Sequence, residues 1–194
     1  MTGNVPEKVI FLDIDGVLNS HRGNLFADEF IERAAVKAID QLCQMTGAKI
    51  VVSSTWRLGR HNNCMHFAEM MRVMGFTGRI YYHEENWRTK SITEKGKRTL
   101  RGDEIKEWLS RHPEVTHYVI IDDDTDMLDE QLDNFVHVDY MEGFGARNYY
   151  RAAKILGEDI KEDYTRPFKP RDMSRGLKTY YEHNILGEPD AEVS

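Results

Sequence analysis

The sequence predicts an α/β domain in three layers, with a parallel sheet of about five strands between helices. Three observations lead there. Short β-branched apolar runs alternate with segments whose apolar residues recur at i, i+3 and i+4. That alternation implies right-handed crossover units, which make strands parallel and put helices on both faces. Carboxylates and hydroxyls then follow directly on three of the apolar runs, at the strand ends where open α/β sheets bind ligands.

The first run, within residues 8–14, ends in Asp13-Ile14-Asp15-Gly16. Ionised carboxylates are costly to bury unless a metal or counter-charge neutralises them. Residues i and i+2 of a strand share a face, so Asp13 and Asp15 are expected on one side at its C-terminal end. The pair reads as metal-assisted chemistry.

A helix is expected from Asp28, its N-cap, to Gly47, its stop, carrying Phe30, Ile31, Ala34, Ala35, Ala38, Ile39 and Leu42 inward. Lys49–Ser53 reads as a second strand, Phe67–Met74 as a helix ending near Gly75, and Arg79–Tyr82 as a third strand. A polar segment occupies about residues 83–100. A helix is expected over 102–111, strands at 118–121 and 135–138, and a last helix over 146–157. The domain is expected to span 1–164. The tail, 165–194, holds Pro167, Pro170 and Pro189 without a clear period and is expected to pack on the core or stay partly mobile.

Composition narrows the class. Twenty-six basic residues against 33 acidic ones give a net charge of −7, which excludes a general nucleic-acid coating protein. The only cysteines, Cys43 and Cys64, form neither a disulfide framework nor a zinc spacing, so a reducing, cytoplasmic setting is expected. The N-terminal apolar run is broken by Asp13 and reads as neither a signal peptide nor a membrane span. His21, His61, His66, His83, His112 and His137 show no metal-ligand spacing.

Three further motifs join the first. Val51-Val52-Ser53-Ser54-Thr55-Trp56-Arg57 runs a strand into hydroxyls. Lys97-Arg98-Thr99-Leu100-Arg101 brings cations to a helix start. Ile120-Ile121-Asp122-Asp123-Asp124-Thr125-Asp126 runs a strand into four carboxylates. In this order the four resemble the signature of the haloacid dehalogenase (HAD) superfamily of phosphotransferases. The likeness covers residues 8–140. The phrases FLDIDGVLN, SSTWR, RGDEIKEWL and YVIIDDD are most similar to compact, capless HAD domains of nucleic-acid repair, such as polynucleotide 3′-phosphatases, and of nucleotidases.

The resemblance implies a Rossmann-like fold and a Mg²⁺-dependent phosphomonoester hydrolase. Asp13 takes the role of nucleophile, forming an aspartyl-phosphate, and Asp15 that of general acid and then base. The Asp13 carboxylate, the Asp15 backbone carbonyl and Asp123 are the implied Mg²⁺ ligands, with Asp122 and Asp126 as rivals. Asp126 has an N-cap as its other reading. Ser53 is the implied phosphoryl-binding hydroxyl, with Ser54 as rival. Arg101 is the implied cation beside the phosphorylated aspartate, with Lys97 and Arg98 as rivals. Gly16 lies in the phosphate loop. Arg57 and Arg22 are candidate phosphate clamps, and Trp56 either stacks on a base or packs in the core.

Neither gap between motifs holds a large cap, so the site is expected to be open to a macromolecular end. Residues 86–101 carry six basic side chains (Arg88, Lys90, Lys95, Lys97, Arg98, Arg101) and one acid, Glu94. Arg166, Lys169, Arg171, Arg175 and Lys178 form a second basic stretch. Both favour an anionic substrate larger than one phosphate, a nucleotide or a phosphorylated nucleic-acid end. A phosphatase of phosphoproteins or small metabolites is the alternative, and a non-catalytic binding module on the same fold is a third possibility. No membrane and no obligate protein partner are expected.

Overall fold

The structure is a computed structural model that describes residues 7–21, 23, 30–58, 63–81, 86–90, 93–94, 97–98 and 100–160. All belong to the first of two units into which the chain divides, Met1–Lys161. Arg22, Asp28, the tail from 165 with its basic stretch, and the side chains of Lys97 and Arg98 lie outside the described residues.

Five parallel strands form the sheet: β1 (Glu7–Leu12), β2 (Lys49–Val52), β3 (Arg79–Ile80), β6 (Val115–Asp122) and β7 (Phe135–His137), in the order β3-β2-β1-β6-β7. Order and direction fit the expected crossover topology. Val9, Ile10, Phe11 and Leu12 are fully buried, because β1 is central and covered on both faces. Ile10 and Leu12 join one core with Ile50, Val52, Val119 and Ile121. Val9 and Phe11 face the other, with Val51, Ile120, Ile105 and Trp108. The period-2 alternation thus splits each strand between two hydrophobic layers.

Four α-helices flank the sheet: α1 (Arg33–Thr46), α2 (Cys64–Val73), α3 (Arg101–Ser110) and α4 (Ala146–Ile155). Residues of α1, α2 and α4 build the first core and those of α3 the second. Gly47 ends α1 at φ 72°, its N–H donating to the Cys43 carbonyl, the left-handed stop that glycine permits. Asn63 caps α2 by accepting from the Met65 N–H.

Three sequence expectations change. Helix α1 starts at Arg33, with Glu32 rather than Asp28 as the residue before it. The Glu32 carboxylate accepts from both the N–H and the hydroxyl of Ser20, and its own N–H donates to the Leu18 carbonyl. These bonds tie the helix entrance to the loop after β1 and leave Phe30 outside the helix. The polar segment 83–100 contains structure: a short antiparallel hairpin, β4 (Thr93–Glu94) with β5 (Lys97–Arg98), and a bridge between Arg88 and Val52. The Val52 N–H donates to the Trp87 carbonyl and the Thr89 N–H to the Val52 carbonyl, so this segment continues the sheet past the end of β3. Finally, β1 stops at Leu12, so Asp13 and Asp15 lie on the turn beyond it. The shared strand face expected for them is not formed.

Candidate active site

The C-terminal ends of β1, β2 and β6 converge. Hydrogen bonds from the Asp13 N–H to the Ile121 carbonyl and from the Ser53 N–H to the Leu12 carbonyl extend the ladder one step past the strands. They fix Asp13 between the other two strand ends. Asp122 is the last residue of β6 and Asp123 follows it. One carboxylate oxygen from each of Asp13, Asp122 and Asp123 lies within 4.8 Å of the others. Asp13 is 5% exposed and Asp122 only 1%.

The turn after β1 brings Gly16 against this cluster. Gly16 has φ 73°, and a Cβ there would lie 2.3 Å from Asp123 Oδ2. Only glycine satisfies both the left-handed backbone and the close approach. The Gly16 N–H donates to Asn19 Oδ1, which closes the turn.

Arg101, the first residue of α3, brings its guanidinium to the cluster. Its Nη1 lies 3.3 Å from Asp13 Oδ1 and its Nε 3.7 Å from Asp122 Oδ2. Asp126 fixes the start of that helix: its Oδ2 accepts from the Arg101 N–H and its carbonyl from the Gly102 N–H. Asp126 thus acts as a cap supplied by a neighbouring loop, the second of its two sequence readings. Gln131, which the sequence did not single out, donates from Nε2 to the Gly102 carbonyl and accepts from the Leu128 N–H. A Cβ on Gly102 would lie 2.6 Å from both Gln131 Oε1 and the Leu128 nitrogen, so glycine allows this close packing.

Three carboxylates share one guanidinium, so the cluster comes to carry more negative charge than its cation offsets as its protons leave. Burial pushes the Asp13 carboxyl well above the usual carboxylate range, with Arg101 and a hydrogen bond from the Ser54 hydroxyl opposing the rise. Burial and then the Asp13 charge push Asp122 up as well. Asp123 is raised by burial and by Asp124. Asp122 Oδ2 is buried without a hydrogen-bond partner. An oxygen-only set of three carboxylates, one with a buried oxygen that no hydrogen bond satisfies, fits a hard divalent cation such as Mg²⁺.

Asp15 stands outside the cluster and is exposed. Its Oδ1 accepts from Asn19 Nδ2 at 2.8 Å and its Oδ2 from the Trp56 indole Nε1 at 2.9 Å. Trp56 is half-buried, packs against the first core and stacks on Phe30, so it serves both core and site.

The two serines separate. A Ser54 hydrogen bond works against the rise of the Asp13 carboxyl, and Ser54 Oγ accepts from the Trp56 N–H at 3.4 Å, whereas Ser53 Oγ lies 3.5 Å from Thr89 Oγ1. Arg57 does not reach the surface: it is fully buried, and its guanidinium pairs with Glu104 of α3 and donates to the Ser54 carbonyl. Its own carbonyl accepts from Arg88 Nη1 at 2.6 Å. The expected phosphate clamp is therefore a buried brace between the serine turn and α3. Arg57 reads as a site residue in sequence because nothing local reveals its partner 47 positions away.

Carboxylates from two strand ends, a helix-borne cation and a serine turn define a HAD-superfamily domain, a hydrolase-type α/β fold. The particular family is narrower: the family described as the HAD domain in Swiss Army Knife RNA repair proteins matches residues 9–149, and the chain belongs to it. No curated protein and no solved structure matches the chain.

Proposed function

We propose that the protein is a Mg²⁺-dependent phosphomonoesterase that removes a phosphate from the end of a nucleic acid, RNA in particular, or from a nucleotide. The convergence of Asp13, Asp122 and Asp123 around Arg101 carries this reading. Membership of an RNA-repair family supports the substrate class.

In the proposed reaction an Asp13 carboxylate oxygen attacks phosphorus and the ester P–O bond breaks, giving an aspartyl-phosphate. Asp15 gives its proton to the departing alkoxide. It then takes a proton from the water that attacks the aspartyl-phosphate, which releases inorganic phosphate and restores both residues. Each Asp15 oxygen accepts one hydrogen bond and keeps a second lone pair for this exchange. Arg101 offsets charge on Asp13 and on the phosphoryl oxygens, and the Ser54 hydroxyl donates to one of those oxygens. Ser53, paired with Thr89, supports the turn. Asp13, Asp122 and Asp123 would hold Mg²⁺, with the Asp15 carbonyl as a further ligand. The ion would neutralise the cluster and draw charge from the transferring group.

Both cysteines are buried and unpaired, in keeping with the proposed reducing cytoplasm. No helix among the described residues is long and apolar enough to cross a membrane.

A substrate panel tests the class: 3′- and 5′-phosphorylated oligoribonucleotides, mononucleotides, phosphopeptides and sugar phosphates, each with Mg²⁺. The proposal expects the highest kcat/KM among the nucleotide compounds. A preference for phosphopeptides or sugar phosphates overturns the substrate assignment.

A further inference from the structure

Phe30 is a large apolar side chain left 70% exposed. Water penalises such a surface, and burial would remove the penalty. The ring is nevertheless held in a defined pose. It stacks on Trp56 with centroids 5.0 Å apart and planes 28° from parallel. Trp56 is itself fixed at two points, by packing against the first core and by its indole N–H on Asp15 Oδ2 at 2.9 Å. The exposed ring is thus one stack and one hydrogen bond from the carboxylate assigned to protonate the leaving group. Whatever is esterified to the phosphate departs on that side.

We propose that Phe30, backed by Trp56, is the subsite for the nucleobase of the phosphorylated terminal residue. The inference rests on the phosphatase reading and deepens it. A base has a planar π face whatever its identity, and stacking on an aromatic side chain recognises it without reading sequence. Two aromatic rings with few rotatable bonds lose little entropy on binding. The arrangement also links recognition to chemistry, because the indole under the stack positions the Asp15 carboxylate. A sugar phosphate or a phosphoserine peptide offers no flat group to this surface.

The test compares a terminally phosphorylated oligoribonucleotide with the same oligomer carrying an abasic terminal residue, using full-length protein and Mg²⁺. The quantity read is the ratio of their kcat/KM values. Wild type is expected to favour the base-bearing end, and Phe30→Ala to lower the ratio by roughly tenfold, the scale of one lost base stack. Phe30→Trp, which keeps an aromatic face, should restore most of it. Phe30 is exposed, so its truncation leaves the core intact; Trp56 is unsuitable because it also contacts Asp15. A wild-type ratio near one, or a ratio unchanged in Phe30→Ala, overturns the base subsite while leaving the phosphatase standing. Better turnover of a phosphotyrosine peptide than of either oligomer also overturns it. Failure of wild type to hydrolyse any phosphomonoester overturns the phosphatase reading itself, and the subsite with it.

Discussion

Arg101 Nη1 lies 3.3 Å from Asp13 Oδ1, joining the first residue of α3 to the residue that follows the central strand. The guanidinium is the one cation shown against the three-carboxylate cluster among the described residues. Its removal has two consequences. Arg101→Ala is expected to lower kcat on an aryl phosphate by about 10²–10³, the loss typical of one preorganised charge-stabilising donor. It should also increase the gain in Tm on adding Mg²⁺, because the ion then offsets the cluster alone. Arg101→Lys keeps the charge without the planar fork and should fall between. Steady-state kinetics and melting curves check both; an unchanged kcat in Arg101→Ala contradicts the role.

The buried pair of Arg57 and Glu104 ties the serine turn to the helix that carries Arg101. Breaking such a pair leaves an uncompensated buried charge and costs about 3–5 kcal/mol. Glu104→Gln is therefore expected to lower unfolding free energy by about that amount in urea titrations. Replacing both residues with apolar ones of similar size, Arg57→Met with Glu104→Leu, should cost less than the single change. A single change costing under about 1 kcal/mol rules out the brace.

Asp13 and Asp122 hold their protons more tightly folded than unfolded, since burial raises both. In metal-free protein the folded state then binds more protons than the unfolded one above the ordinary carboxylate pKa of about 4. Stability must fall as pH rises from there toward the raised values. Mg²⁺ competes with those protons, so its effect runs the opposite way. The expected result is a larger Mg²⁺-induced rise in Tm at pH 8 than at pH 5.5, read by thermal melting with and without the ion. An equal rise at both values contradicts the assignment of these carboxylates as ligands.

Much of this was legible in the sequence because it rests on local patterns. The runs at Val9–Leu12, Ile50–Val52 and Val119–Ile121 are apolar on both faces, as central parallel strands must be. The acidic and hydroxyl residues follow them directly, so local order alone points to Asp13, Asp122 and Asp123 and to the serine pair, with Ser53 ahead of Ser54. Arg101 brings its guanidinium to the cluster, while the side chains of its rivals Lys97 and Arg98 lie outside the described residues. What stayed hidden depends on distant pairs. Arg57 finds Glu104, Asp15 finds Trp56 and Gly102 finds Gln131 only once the strands are side by side. The start of α1 is hidden for the same reason: the periodicity runs on through Phe30 and Ile31, but Glu32 is held by Ser20 twelve residues earlier. Thr89 joins the serine turn through the sheet bridge at Val52, a contact no polar-segment pattern announces.

The central claim is that Asp13 is the nucleophile, and the direct measurement is turnover of a generic aryl phosphate by Asp13→Asn with Mg²⁺ beside wild type. Asparagine keeps the shape and removes both the negative charge and the attacking carboxylate. The account predicts hydrolysis by wild type and a loss of at least about 10³-fold in the variant, whose metal-free Tm stays equal or rises because one buried like charge is gone. Full activity in a folded Asp13→Asn protein would contradict it.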